Sequence, residues 1–196
     1  MHGRIGLYTG EPAKIDAILD NAKAELPPLM RQQPGMRRYN VFRTAPGELI
    51  SLSAWDSHDH AEAAGQKLVA WVKQNTGDAI TGVENHVGEI AFSEPAGGAS
   101  APHVRVALYQ FKPDTVAGAI AKAREGFLPI LQRQPGFVRY TVGDLGGGRV
   151  VTISGWETRD EADTAVATAA GWVRENLARD VTSVQNHVGD LLWSAD

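Results

Sequence analysis

Shifted by 101 residues, the 196-residue sequence falls on itself without a gap, residues 4–93 onto 105–194, with 28 of those 90 positions identical. An ungapped match of that length marks an internal duplication. The strongest blocks are RQQPGMRRY (31–39) on QRQPGFVRY (132–140), AWVKQN (70–75) on GWVREN (171–176) and VENHVGEIAFS (83–93) on VQNHVGDLLWS (184–194). Between the copies lies EPAGGASAPH (94–103), poor in large apolar residues, which reads as a linker. The expected organisation is a first repeat over 1–93, the linker, and a second repeat over 104–196. A unit of about 90 residues buries a small share of its surface alone, so each copy needs a neighbour.

Both copies show one order of periodicities. RIGLYT (4–9) and RVALYQ (105–110) alternate like strands. Ile15, Ile18, Leu19, Ala22, Leu26 and Leu29 recur at helical spacing, and the matching helix runs from Val116 to Leu131. Pro34-Gly35 and Pro135-Gly136 stop these helices. A hairpin follows in each copy, turning at Ala45-Pro46-Gly47 and at Gly146-Gly147-Gly148. Second helices start at Ser57 and Thr158, and Thr158 with Glu161 has the spacing of a capping box. The last strands are expected over 83–92 and 184–193. The order is β-α-β-β-α-β, written twice, which is the ferredoxin-like pattern. The expected fold is α+β, tandem ferredoxin-like repeats packed sheet to sheet as an intramolecular pseudo-dimer, with a homodimer of whole chains as a further assembly.

Composition narrows the chemistry. With no cysteine there is no disulfide, thiolate metal site or cysteine nucleophile. The net charge of −4 divides into −3 and −1 at Pro95, so neither half is a basic nucleic-acid module. No apolar run reaches membrane-spanning length and MHGRIGLYTGEP has no signal-peptide core, so the expected location is the cytoplasm and no membrane partner is expected. Nucleotide-loop and nucleophile-elbow motifs are absent.

The strand-helix opening, QPG followed by Met36 and Tyr39 or by the aromatic Phe137 and Tyr140, and a third strand ending in Trp55-Asp56-Ser57 or Trp156-Glu157-Thr158 resemble the antibiotic biosynthesis monooxygenase-like family of dimeric α/β-barrel proteins. The resemblance covers both repeats. It implies a ligand cavity between sheet and helices in each unit, a small apolar or aromatic ligand, and, in the oxygenases, no metal or flavin cofactor, oxygen reacting directly with an electron-rich phenolic substrate. Where cofactor-free members carry Asn four residues before the third-strand Trp, this chain has Ser51 and Thr152. The first-strand Asn and helix-following His of haem-degrading members are missing, which counts against haem.

On the residues themselves, Ser51, Ser53 and Trp55, with Thr152, Ser154 and Trp156, share one strand face. Hydroxyls beside an indole suit the floor of an aromatic pocket and equally a half-buried packing surface. Trp71 and Trp172 are cavity-wall candidates, or helix packing. His86 and His187, in the repeated Asn-His-Val-Gly, are the candidate catalytic groups, as base or phenolate donor; strand histidines bonded to neighbouring backbone are the other reading. Asn85 and Asn186 must point to the face opposite those histidines. No metal site is expected: His58 and His60, two apart on a helix, diverge by some 200°.

Overall fold

Alternation orients the first strand. In β1 (His2–Gly10), Ile5 and Leu7 point one way, and Arg4, Gly6 and Tyr8 the other. The computed structural model describes residues 1–95 and 101–195, so part of the expected linker, 96–100, lies outside the described residues. After β1 come α1 (Pro12–Arg31), β2 (Met36–Ala45), β3 (Glu48–Trp55), α2 (His58–Asn75) and β4 (Ile80–Pro95). The second copy gives β5 (His103–Phe111), a three-part helical stretch, β6 (Phe137–Gly146), β7 (Arg149–Trp156), α5 (Arg159–Asn176) and β8 (Val181–Ala195). The β-α-β-β-α-β order therefore holds in both.

Local chemistry explains the boundaries. Pro12 opens α1 where its missing N–H has no partner to lose. The hairpins turn at Gly47, φ 77°, and at Gly147 and Gly148, φ 61° and 81°, backbone that side chains with a Cβ disfavour. Thr158 Oγ1 accepts from the Glu161 N–H while Glu161 Oε2 accepts from the Thr158 N–H at 2.9 Å, the reciprocal cap expected. Ser57 in the first copy accepts only from His60, which has no carboxylate to return.

Two elements differ from expectation. The last strands run beyond 83–92 and 184–193, over Ile80–Pro95 and Val181–Ala195, because backbone pairing continues past the apolar alternation. The single helix expected from Val116 to Leu131 is α3 (Val116–Lys122), a π-helical turn (Ala123–Phe127) and α4 (Leu128–Gln132). Pro129 has a counterpart, Pro28, inside the uninterrupted α1, so proline alone does not widen the turn. Among the differences between the two stretches, Gly126-Phe127 stand where α1 has Glu25-Leu26.

Compactness divides the chain into Met1–Glu89 with Leu191–Asp196, and Ile90–Asp190. In the first unit the strands β4, β1, β3 and β2 pair antiparallel, and the end of β8 follows β2. Ile15 and Met30 of α1 and Ala64 and Leu68 of α2 pack on Tyr39, Val41 and Trp55, with Trp193 from the chain's end in the same core. In the second unit Phe127, Leu131, Ala165 and Ala169 pack on Tyr140, Val142 and Trp156, with Phe92 from the end of β4. Each repeat thus completes its core with an aromatic from the other repeat's last strand, Phe92 at 5% exposure and Trp193 at 8%, which answers the shortage of buried surface in a unit this small. Among the described residues no helix is long and apolar enough to cross a membrane.

Candidate functional site

The sheet register sorts the candidate residues by face. Arg4 stands opposite Ser53 and Val87, and Gly6 opposite Ser51 and Asn85. With Tyr8, Tyr39 and Trp55, whose side chains sit in the helix-packed core, these residues form the helix-facing side. His86 stands opposite Ile5, on the other side. In the second copy Arg105 opposes Ser154 and Ala107 opposes Thr152 and Asn186, while His187 opposes Val106. The structure therefore brings Ser51, Ser53 and Trp55, and likewise Thr152, Ser154 and Trp156, toward the helices that carry Trp71 and Trp172. It leaves His86 and His187 on the opposite face, as the two-residue period demands once Asn85 and Asn186 face the helices. His86 Nε2 lies 3.5 Å from Glu84 Oε2.

In the second unit a cavity opens between sheet and helices. Tyr109, Tyr140 and Thr152 place hydroxyl-bearing side chains on its sheet side, and Ala119, Phe127 and Trp172 close the helix side. Its volume is about 30 Å³, room for water and well short of the roughly 300–1,000 Å³ of a small-molecule pocket. A ligand enters only as lining side chains move. The π-helical turn carries Phe127 onto the Trp172 ring, centroids 5.2 Å apart, and such turns recur at functional sites. A Cβ on Gly126 would lie 3.4 Å from Trp172 Cζ2, so a side chain longer than alanine's would press on the indole.

The first unit holds its tryptophan differently. Trp71 Nε1 donates to Glu25 Oε2 at 2.7 Å, tying α2 to α1. Gly126 is the residue matching Glu25, so this latch has no equivalent at Trp172.

Of the candidate pocket residues, Thr152 and Trp172 border the cavity; Ser154 and Trp156 do not. Trp55 and Trp156 are fully buried, and their indole N–H groups donate to Ser53 Oγ and Ser154 Oγ at 2.9 Å. Each tryptophan-serine pair satisfies itself along one strand. Ser51 instead accepts from Arg4 Nη1 at 2.8 Å. Asn75 and Asn176 donate to the carbonyls of Trp71 and Trp172, finishing their helices. Among the described residues no group of three His, Asp or Glu could hold a metal ion, His58 and His60 included.

Charge enters from residues that the motif reading passed over. Arg4 and Arg105 are each only 2% exposed, and among the described residues neither pairs with a carboxylate. Arg4 Nη2 donates to Tyr8 Oη at 2.9 Å, and Arg105 Nη2 to Tyr109 Oη at 3.1 Å and Asn186 Oδ1 at 2.5 Å. Both Nε atoms lack a hydrogen-bond acceptor among the described residues. Burial, then the neighbouring Tyr109, holds the Tyr140 phenol protonated well above the usual tyrosine range, against the opposing pull of Arg105 and the Thr152 hydroxyl. Tyr39 is raised likewise by burial and then by Tyr8, against Arg4. Tyr140 is thus a standing hydrogen-bond donor. The signal that could have found this cluster is Arg-x-x-x-Tyr at 4–8 and 105–109, an arginine and a tyrosine on one face of a strand in both repeats.

The sequence profile of the antibiotic biosynthesis monooxygenase family matches residues 1–67. No curated protein sequence matches the chain. Among solved structures, an anthrone oxidase-like protein superposes with TM-score 0.72 at 16% identity, covering 98% of this chain and 92% of that one. A monooxygenase-like protein from Lactobacillus acidophilus NCFM gives TM-score 0.73 at 11% identity, covering 99% and 95%. A chlorite dismutase from Candidatus Nitrospira defluvii, in complex with imidazole, gives 0.64 at 12%, covering 97% and 90%. The chain is thus similar in sequence to the antibiotic biosynthesis monooxygenase family over residues 1–67, and shares an α+β fold with these solved structures over nearly its whole length.

Proposed function

We propose that this monooxygenase-like chain binds a small aromatic metabolite in the cavity of its second unit and oxygenates it with dioxygen, the substrate acting as its own reductant. The observation that carries the reading is the cavity's make-up: Tyr109, Tyr140 and Thr152 line one side, and Phe127 and Trp172 the other. Aromatic walls with few convergent polar groups suit a flat, hydroxylated ring. In the reaction one oxygen atom converts a ring-adjacent CH2 to C=O and the other leaves as water, so no external electrons are needed. Tyr140 and Tyr109 donate to the substrate oxygen as negative charge builds on it. Trp172 and Phe127 hold the ring. His86 and His187, across the sheet from the cavity, have no part in this reading and serve as controls.

Oxygen uptake and product mass with polyhydroxylated aromatics test it. The parent and His187→Ala are expected to turn over alike, while Tyr140→Phe and Trp172→Ala lose at least tenfold. Equal activity in all four would overturn these roles. A second reading, a non-catalytic small-molecule binder, is favoured by one observation: the cavity offers donors and no base. Ligand-induced thermal stabilisation without oxygen uptake would select it. The reading places the protein in the cytoplasm, its two repeats serving one another as the subunits of a homodimer do, with no nucleic-acid partner.

A further inference from the structure

Arg105 sits almost wholly out of water without a counter-ion among the described residues. A buried charge is ordinarily paired, because the desolvation cost of an unpaired ion is several kcal/mol. Its contacts are two neutral oxygens, on Tyr109 and Asn186, and its Nε has no acceptor. The first repeat does the same with Arg4, Tyr8 and Ser51. Tyr109 borders the cavity and accepts from Arg105, so the arginine-tyrosine pair stands at the cavity wall. A hydroxyl that accepts from a cation becomes a stronger donor through its own proton.

Resting on the reading that this cavity takes an aromatic ligand, we propose that Arg105, acting through Tyr109, selects one carrying an ionised oxygen, which supplies the negative charge the buried site lacks. Arg105 is a positioning residue and Tyr109 the group in contact. The shared chemistry is an aromatic oxyanion, whose source is a ring carboxylate or a phenolate.

The test is calorimetric titration of the full chain with 1-naphthoate against the neutral isostere 1-naphthamide, together with 4-nitrophenol, whose ionisation is read by absorbance. A tenfold or greater preference for naphthoate assigns a carboxylate, and a downward shift of the bound nitrophenol's ionisation midpoint assigns a phenolate. Either effect is expected to vanish in Arg105→Met and Tyr109→Phe, return in part in Arg105→Lys, and persist in Arg4→Met. Arg105→Met is expected to melt no lower than the parent, since an uncompensated buried charge is removed. Should it fail to fold, Tyr109→Phe keeps the arginine and decides the matter. Charge-blind binding of all probes, or selectivity unchanged in Tyr109→Phe, overturns the proposal and leaves the cavity standing as an aromatic site. If no probe binds, the cavity reading falls and this one with it.

Discussion

Gly6→Ala probes the buried cluster of the first unit without touching its polar atoms. A Cβ at Gly6 would lie 2.6 Å from Arg4 Nη2, 2.7 Å from Tyr8 Oη and 2.9 Å from Ser51 Oγ. All three are too close, so the cluster must open. The hydrogen bond most exposed to loss is Arg4 to Ser51, a charged one worth about 1.5–3 kcal/mol. Replacing glycine returns about 0.4–1 kcal/mol through the unfolded chain. The second repeat shows where the arginine goes: Ala107 already stands at this position, and Arg105 bonds Asn186 rather than Thr152. Arg4 in the variant is therefore expected to turn to Asn85. The net cost is about 1–2 kcal/mol, a fall of roughly 3–6 °C in Tm for a chain of this size. Thermal and urea unfolding measure it. The reciprocal Ala107→Gly loses backbone restriction, about 0.5–1 kcal/mol, together with a fully buried methyl, about 0.8 kcal/mol. If Gly6→Ala melts at or above the parent temperature, the packing argument for this cluster is wrong.

Three further outcomes follow from the same geometry. Gly126→Glu is expected to rebuild at Trp172 the carboxylate latch that Glu25 makes on Trp71, weakening aromatic binding at least fivefold by calorimetry; unchanged affinity would mean that Trp172 need not move. Tyr39 and Tyr140, raised by burial, stay protonated in the fold while the unfolded phenols ionise near pH 10, so their stabilisation is complete below about pH 10 and falls above it by about 1.4 kcal/mol per pH unit for each group. In an alkaline titration at least two of the four tyrosines should ionise only as the circular dichroism collapses; reversible ionisation of all four beforehand would contradict this. Thr158→Ala removes the reciprocal cap of α5 and should cost about 1 kcal/mol in urea unfolding, whereas a cost near zero would show the cap to be idle.

Much of the architecture was legible because repetition and alternation are long-range signals. The 101-residue offset placed every element twice, and the glycines at 47, 147 and 148 marked turns that only positive φ permits. The π-helical turn was not legible, since the apolar spacing from Val116 to Leu131 is that of an ordinary helix and does not register one extra residue in a turn. Pattern reading put the serines and tryptophans on one face and the histidines opposite the asparagines. Which face meets the helices is a matter of packing, not of period. Arg4 and Arg105 were passed over because a charged residue in a strand reads as solvated, and only the fold shows each to be buried with tyrosine.

The central claim is that the second unit's cavity is the ligand site, and indole NMR tests it directly. The chain has five tryptophans, so five indole N–H signals can be followed as an aromatic probe such as 4-nitrophenol is added. The account predicts that the Trp172 signal moves while that of Trp71, latched to Glu25, stays in place. Movement of Trp71 with Trp172 unchanged, or a bound probe that shifts neither, would contradict it.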